Sequence, residues 1–283
     1  MWRCQRKVWA LGATKGVWLA TFIPGLILII AVILKGIIDG LWVGGPSAIA
    51  SQGFGRPSLG AVVLPEGFYS PAITFLLANT PQILVSYIYL AYNNLFTHML
   101  VTADLISYST SRNHLRVALS HGKRRSRRFL QIPYKYGIPI MTASILFHWL
   151  ISQSIFLTRI TIYDYMGIPQ PNIAISTTGY SSYAIIFALC MGGAMLLAVL
   201  VIGFGRRFSA TMPLAACCSA SVAAICQPYP GRVTEWGVTM DKLQWGAIRD
   251  ESSEIGDNGN DGVGHACFSA KEVLPLVEGR NYA

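Results

Sequence analysis

The sequence predicts an all-α integral membrane protein with four transmembrane helices, one short extra apolar helix and a small polar C-terminal tail with a candidate β-hairpin. Of its 283 residues, 53% are hydrophobic and only 12% are charged, whereas soluble domains carry about 25% charged residues. The charged residues cluster between long apolar runs rather than within them. A bilayer explains both observations, since the apolar runs would meet lipid and the charges would meet water.

Four apolar runs are long enough to cross the hydrocarbon core, which takes about 20 residues of helix. We predict spans at about residues 16–38, 81–103, 136–157 and 181–205. Together they form a membrane domain at residues 16–207, preceded by a basic cytoplasmic leader at residues 1–15. A cleaved signal peptide is the alternative for the first run. That run exceeds the usual length of about 7–15 residues, and the nearest Ala-x-Ala, at residues 48–50, lies beyond it.

Shorter elements are predicted outside these spans. Ser70-Pro71 indicates the start of a short helix lying against the membrane face, and Thr80-Pro81 indicates the start of the second span. A fifth apolar run, residues 213–226 within the segment 208–227, would be about 21 Å long as a helix. That is shorter than the hydrocarbon core of about 30 Å, so packing under the bundle, re-entry and spanning all stay open. The tail, residues 228–283, carries candidate strands at 242–248 and 264–268.

Basic residues determine the predicted orientation. The leader carries four Lys and Arg residues, and the three following loops carry two, eight and one. Because basic residues concentrate in cytoplasmic loops, this alternation places both termini in the cytoplasm. The eight basic residues of the second loop are Arg112, Arg116, Lys123, Arg124, Arg125, Arg127, Arg128 and Lys135. Since they flank apolar spans, the lipid bilayer is their expected partner and nucleic acid is not.

The second and third spans carry most of the polar side chains expected within the membrane. The candidate polar face consists of Ser86, Asn93, Asn94, His98, His148, Ser152 and Gln153. In the second span, Ser86, Asn94 and His98 lie four or eight residues apart and so share one side of the helix. Polar groups of this kind avoid lipid. Hydrogen bonding between helices explains them, and a polar pathway for a solute or proton is the alternative.

In the fourth span, Ala184, Ala188 and Gly192 lie four residues apart and form a stripe of small side chains. Small residues at this spacing let helix backbones approach closely. Packing within the bundle is one prediction from this stripe, and a homo-oligomer contact is the other.

Cysteines near basic residues at the expected cytoplasmic face are candidates for reversible lipidation. They are Cys4, Cys217 and Cys218. The alternative is that they are small buried residues. We find no motif for a catalytic, cofactor-binding or metal site, so we expect no enzyme activity and no cofactor.

Several stretches of the chain are similar, in sequence and in order, to stretches of a known group of proteins. They are Ala78-Asn-Thr-Pro-Gln82, Gln131-Ile-Pro-Tyr-Lys-Tyr-Gly-Ile-Pro139, His148-Trp-Leu-Ile-Ser-Gln-Ser154, Cys218-Ser-Ala220, Val263-Gly-His265, Glu278-Gly-Arg280 and Tyr282-Ala283. The chain resembles the C-terminal membrane part of uncharacterised fungal multi-pass membrane proteins that carry an N-terminal domain of unknown function. The resemblance implies a truncated version of a longer protein and carries over no activity.

The expected function is that of a non-enzymatic membrane scaffold or interaction component. The alternative is a transporter or channel subunit that uses the polar face between the second and third spans. The two differ in what Asn94 and His98 do, because a scaffold needs them for packing and a transporter needs them for flux.

Overall fold

The computed structural model of the chain describes residues 6–38, 53–56, 71–114, 116–117, 125–126, 132–161, 163–169, 175–210, 212, 214, 242–247, 266–269 and 272–279. The predicted short helix at 213–226 lies largely outside these residues, as do the candidate lipidation sites Cys4, Cys217 and Cys218.

Four α-helices organise the part of the chain that the structure describes. They are α1 (Lys15–Ile38), α2 (Pro71–Thr110), α3 (Tyr134–Ser154) and α4 (Ser182–Gly205). A 3-10 helix, Trp9–Gly12, precedes α1. The bounds of α1 and α4 lie within one residue of the expected spans 16–38 and 181–205, because a basic residue marks one end of each: Lys15 begins α1 and Arg206 follows α4.

Short strands form two antiparallel sheets and one parallel pair. The strands are β1 (Asn113–His114), β2 (Arg116–Val117), β3 (Arg125–Ser126), β4 (Ile155–Ile160), β5 (Ile175–Tyr180), β6 (Lys242–Ala247) and β7 (Ala266–Ser269). β4 and β5 form an antiparallel hairpin in which Ile155 lies opposite Tyr180. β1, β6 and β7 form an antiparallel sheet in that order, and β2 pairs with β3 in parallel. β6 and β7 lie where the sequence predicts the two tail strands.

The predicted all-α fold with four spans is wrong. Among the described helices, two are long and apolar enough to cross a membrane: α2, from Ala72 to Thr110, and α4. The apolar stretch described in α1 is the shorter Lys15–Ala31. α3 includes Lys135, His148 and Gln153 among its 21 residues, which lowers its hydropathy.

The hairpin of β4 and β5 accounts for part of this error. The sequence predicted helix to 157, but α3 ends at Ser154 and the chain continues as β4. The residues Ile155-Phe-Leu-Thr-Arg-Ile160 are rich in β-branched and aromatic side chains, which favour strands. A short apolar run looks the same at the end of a helix and in a buried strand, so apolarity alone extended the helix too far.

The helix α2 is continuous through Pro81, whereas the sequence predicted two helices there. Proline in a helix interior removes one backbone hydrogen bond and crowds the preceding turn. The Asn79 side chain donates to the carbonyl of Phe75 at 2.8 Å, and the Thr80 hydroxyl donates to the carbonyl of Leu76 at 2.7 Å. These bonds lie in the turn before the proline, and the helix passes through it.

The chain divides into two compact units. The first unit comprises Met1–Lys15, Asn94–Tyr134 and Val199–Ala283, and the second comprises Gly16–Asn93 and Lys135–Ala198. In the second unit, side chains of four helices are buried. They include Leu28 on α1, Val85, Ile88 and Tyr92 on α2, Phe147 and Ile151 on α3, and Ala184, Ile185 and Ala188 on α4. The hydroxyl of Thr21 on α1 is within hydrogen-bond distance of the Ala91 carbonyl on α2, at 3.3 Å.

The first unit has a mixed helix and sheet core. One cluster of its buried residues consists of Ile106, Tyr108, Phe208, Met212 and Trp245. Tyr108 packs edge-on against Phe268 with ring centroids 5.5 Å apart, and its hydroxyl donates to the carbonyl of His114 at 3.0 Å. The end of α2, the segment after α4 and the tail sheet therefore share one core.

Large apolar side chains cover the outside of the helices. In the apolar windows of the two candidate spans, only 18% of the α2 window and 11% of the α4 window are buried. The core helix of a soluble protein would be mostly buried. Exposed apolar surface of this extent marks a face that meets lipid or another protein.

Candidate functional site

The most specific polar contact in the second unit joins α2 to α3. Nδ1 of His148 lies 2.9 Å from Oε1 of Gln82. The Gln82 amide nitrogen donates in return to the backbone carbonyl of His148 at 3.3 Å. Both side chains are half-buried. One glutamine thus contacts both the ring and the backbone of the histidine.

This pairing determines the orientation of both groups. A backbone carbonyl only accepts hydrogen bonds, so the NH2 group of Gln82 must face it. The oxygen of Gln82 then faces Nδ1 of His148, and Nδ1 must carry a hydrogen to complete the contact. In the neutral ring, Nε2 is therefore the acceptor. The arrangement holds α2 and α3 together.

The predicted polar residues divide between the two units. Those in the second unit are Ser86, Asn93, His148, Ser152 and Gln153, and those in the first unit are Asn94 and His98. Ser86 is exposed, and its hydroxyl donates to the carbonyl of Gln82 in its own helix at 3.0 Å. Asn94 and Ser152 are exposed, while Asn93 and Gln153 are half-buried. The structure therefore assigns these residues to separate environments.

A short segment that the sequence did not single out contacts Gln153. Residues 53–56 contain two glycines with positive φ, Gly53 at 70° and Gly55 at 62°. A side chain on Gly55 would collide with Oε1 of Gln153. The Gly55 N–H donates to the hydroxyl of Ser181 at 3.0 Å. Glycine is favoured here by the backbone conformation, and a larger residue would also have to displace the end of the Gln153 side chain.

Phe54 holds the same segment against two helices. Its ring stacks on Trp149 of α3 with centroids 5.6 Å apart, and it meets the edge of Phe187 of α4 at 6.3 Å. Ser181 also donates its N–H to the carbonyl of Ser154 at 2.9 Å, so it joins the segment to the junction of α3 and β4. In the sequence, the Gly-Phe-Gly pattern of this segment could have indicated that it packs against the helices.

The segment between β4 and β5 exposes an apolar surface, which we call the hairpin tip. It consists of Tyr163, Tyr165, Met166 and Ile168. The carboxylate of Asp164 accepts the N–H of Tyr165 at 2.7 Å, and the N–H of Gly167 donates to the Asp164 carbonyl at 2.8 Å. These bonds fix a tight turn, so the apolar side chains point outward from an ordered backbone.

The comparisons with known proteins identify a family. A family model described as Domain of unknown function (DUF8419) matches residues 3–273. The chain belongs to this family. No curated protein and no solved structure matches the chain. The match covers nearly all of both units of this DUF8419 chain, including Gln82, His148 and the segment 53–56.

In this DUF8419 chain, the small-residue stripe of α4 is used for packing. Ala184 and Ala188 are buried. A Cβ added to Gly192 would lie 3.5 Å from the ring of Phe147 on α3. The stripe thus lets α3 approach α4 within one chain, and self-association through it stays a prediction.

His98 of the DUF8419 chain is half-buried in the first unit. Its Nδ1 is buried and has no hydrogen-bond partner in the described part of the chain. The hydroxyl of the neighbouring Thr102 lies 2.8 Å from the His98 carbonyl and 3.2 Å from the Gly12 carbonyl. In the described ranges, no group of three or more His, Cys, Asp or Glu side chains could hold a metal ion.

Proposed function

We propose that the chain is a non-enzymatic integral membrane protein that acts as a scaffold or interaction component. The observation that carries the proposal is the exposure of the apolar side chains along α2 and α4, the two helices long enough to cross a bilayer. The half-buried polar pair of Gln82 and His148 joins two helices within the chain, which supports packing rather than chemistry. The hairpin tip supplies an exposed apolar surface of the kind that binds a partner.

Both termini are proposed to lie on the cytoplasmic side. Three contacts support a common side for the flanking segments. Residues 7–9 pair with residues 206–208 after α4, β1 after α2 pairs with β6 of the tail, and Trp9 stacks on Phe208. The sequence ranges of the first unit carry 18 of the 22 Lys and Arg residues. A basic side of a membrane protein is the cytoplasmic one.

The proposal includes a relationship to fungal multi-pass membrane proteins with an added N-terminal domain. The similar sequence stretches between Ala78 and Ala283 support this relationship. Sequencing the transcript that encodes the chain, together with the size of the protein in its native cells, tests this part.

Site-directed labelling tests the membrane placement. In a version without native cysteines, Tyr165→Cys places a thiol at the hairpin tip before α4, and Ser209→Cys places one after α4. Both positions are exposed. With a membrane-impermeant maleimide on sealed cells, we expect Tyr165→Cys to react at once and Ser209→Cys to react only after permeabilisation. Labelling of both positions from one side would show that α4 does not cross the membrane.

A transporter or channel subunit is the second candidate function. The buried Nδ1 of His98 favours it, because polar atoms held within a membrane helix often mark a pathway. Purified Asn94→Leu and His98→Leu variants in proteoliposomes decide between the two. If the variants only lower the melting temperature, the scaffold proposal stands. If they melt like the wild type and abolish a proton flux that the wild type shows, the scaffold proposal fails.

A further inference from the structure

The N-terminal segment and the end of α4 form an exposed basic ribbon, which we define as residues 6–9 and 206–209. The N–H of Trp9 donates to the carbonyl of Arg206, and the N–H of Phe208 donates to the carbonyl of Lys7, both at 2.9 Å. Val8 lies opposite Arg207 in this antiparallel pairing. Two backbone hydrogen bonds therefore fix the register of the ribbon.

The register sorts the side chains of the ribbon onto two faces, because successive residues of an extended chain point to opposite sides. Lys7, Trp9, Arg206 and Phe208 share the face on which Phe208 is buried and Lys7 and Arg206 are exposed, which we call the inner face. Val8 and Arg207 share the outer face, and Arg6 falls on the same face as Val8. The exposed Arg6 and Arg207 thus lie on one face as near neighbours. Two like charges at this spacing repel each other unless an anion lies between them.

The ribbon lies immediately beyond a candidate membrane span. α4 ends at Gly205, and Arg206 is the next residue. The guanidinium group of Arg206 lies 5.2 Å from the centre of the Trp9 ring, within the range of a cation–π contact. Tryptophan favours the level of the lipid headgroups. If α4 crosses the bilayer, the basic ribbon lies at that level.

Exposed apolar side chains lie in the turns of α4 that precede the basic ribbon. Val201 and Phe204, in the last turns of α4, are 61% and 59% exposed. A free phosphate ion would use only the arginines, whereas a phospholipid would use both surfaces, with its phosphate at the arginines and its acyl chains along the helix. Arginine also matches phosphate oxygens with paired N–H donors.

We propose that the basic ribbon binds the phosphate of an anionic phospholipid, held by Arg6 and Arg207, with the acyl chains against Val201 and Phe204. This inference rests on the proposed membrane placement of α4 and names the lipid class that this end of the helix selects.

Native mass spectrometry of the full chain in detergent, titrated with phosphatidylserine or phosphatidylcholine, tests the inference. The test variant is Arg6→Gln/Arg207→Gln. The matched control is Arg56→Gln/Lys242→Gln, which removes two exposed basic residues outside the basic ribbon. Each basic residue near an anionic lipid surface contributes about fivefold to binding. We therefore expect the test variant to bind phosphatidylserine about 25-fold more weakly and the control to bind it like the wild type.

Several results would overturn the inference. They are wild-type binding by the test variant, equal weakening in the control, equal binding of phosphatidylcholine, and complete displacement of phosphatidylserine by inorganic phosphate. If the test variant does not fold, Arg6→Lys/Arg207→Lys keeps the charge and removes the paired donors. Intermediate binding by this variant supports the site, and unchanged binding overturns it. Failure of the membrane placement is recognised separately, by one-sided labelling of Tyr165→Cys and Ser209→Cys.

Discussion

Gln82 is the residue through which α2 and α3 share two hydrogen bonds. Its oxygen faces Nδ1 of His148 and its nitrogen faces the His148 carbonyl. A leucine at this position could make neither contact, so the half-buried His148 ring N–H and the His148 carbonyl would lose this partner. Polar contacts between membrane helices are individually modest, because the unfolded chain in a membrane also finds partners for its polar groups.

We predict that Gln82→Leu lowers the free energy of unfolding in detergent by roughly 1 kcal/mol. Ser86→Ala is the matched control, since the Ser86 hydroxyl bonds only a carbonyl of its own helix in the described structure. Its effect should be close to zero. A double-mutant cycle of Gln82→Leu with His148→Leu measures the coupling. Additive effects of the two substitutions would show that the pair does not stabilise the protein.

Gly55 allows a second prediction at the same scale. Gly55→Ala should destabilise the protein more than Gly167→Ala does. Both glycines have positive φ, at 62° and 75°, so both variants carry the strain of a left-handed backbone, about 1–2 kcal/mol. A Cβ at Gly167 meets nothing within 4 Å, whereas one at Gly55 collides with Gln153.

The difference between these two variants isolates the collision. Oε1 of Gln153 is the far end of a flexible side chain that can move aside. We therefore expect an added loss near the lower end of the range for overpacking, about 1–3 kcal/mol, which thermal unfolding of the two purified variants measures. Equal melting temperatures would mean that the segment 53–56 does not dock on Gln153. Gln153→Ala in the Gly55→Ala background should recover the part of the loss that exceeds that of Gly167→Ala, because it removes the atom with which the new methyl group collides.

The sequence could identify single residues of the site but not their partners. His148 and Gln153 were found because polar side chains in an apolar helix are conspicuous. Gln82 escaped notice because it lies at the start of the predicted second span, where polar residues are ordinary. Phe54 and Gly55 lie in a Gly-rich stretch that contacts α3 and α4 only in the folded chain. Local residue spacing therefore could not predict this contact.

At the scale of elements, α2 shows how the surroundings of a proline decide its role. Proline suits the first turn of a helix, where its missing N–H has no partner anyway, and it destabilises a helix interior. Pro71 occupies the first position of α2 and Pro81 lies in its interior. Both look like helix starts in the sequence, since a serine or threonine precedes each of them.

We predict that Pro81→Ala raises the free energy of unfolding by roughly 1–3 kcal/mol, because it restores an interior hydrogen bond of α2. Pro71→Ala should change it little, because a first-turn N–H has no helical partner. Thermal unfolding with both variants in the same detergent provides the comparison. If the two substitutions have equal and small effects, Pro81 begins a separate helix, as its sequence pattern indicated.

The ends of a helix could be predicted where a charged residue lies beside them. They could not be predicted where the residues on both sides of the end are apolar. Lys15 and Arg206 delimit α1 and α4, and the expected bounds were right within one residue. The α3 to β4 junction has no such mark, since Ser154 is followed by Ile155, Phe156 and Leu157 without a charge or a glycine. β5 was not predicted, because Thr and Ser residues between apolar ones are as typical of a loop as of a strand.

At the scale of the whole molecule, the first unit is assembled from three ranges that are distant in sequence. Its core joins Ile106 and Tyr108 of α2, Phe208 and Met212 after α4, and Trp245 of β6. Only long-range packing could create such a unit. Its strands in the tail could therefore be predicted from the sequence, but the packing of the three ranges into one unit could not. The second unit has its own buried residues, including Phe147 of α3.

Two separate cores predict two separate cooperative regions. Trp245→Ala removes a large buried side chain, which typically costs about 3–5 kcal/mol, and the loss should fall on the first unit. Hydrogen exchange should then accelerate at the N–H groups of Trp9 and Phe208, which bond across the basic ribbon, while the amides of β4 and β5 keep their protection. Phe147→Ala is the reciprocal variant, and it should expose the β4 and β5 amides while sparing Trp9 and Phe208. Parallel acceleration everywhere in both variants would show that the chain opens as one cooperative body, and the division into two units would then have no energetic meaning.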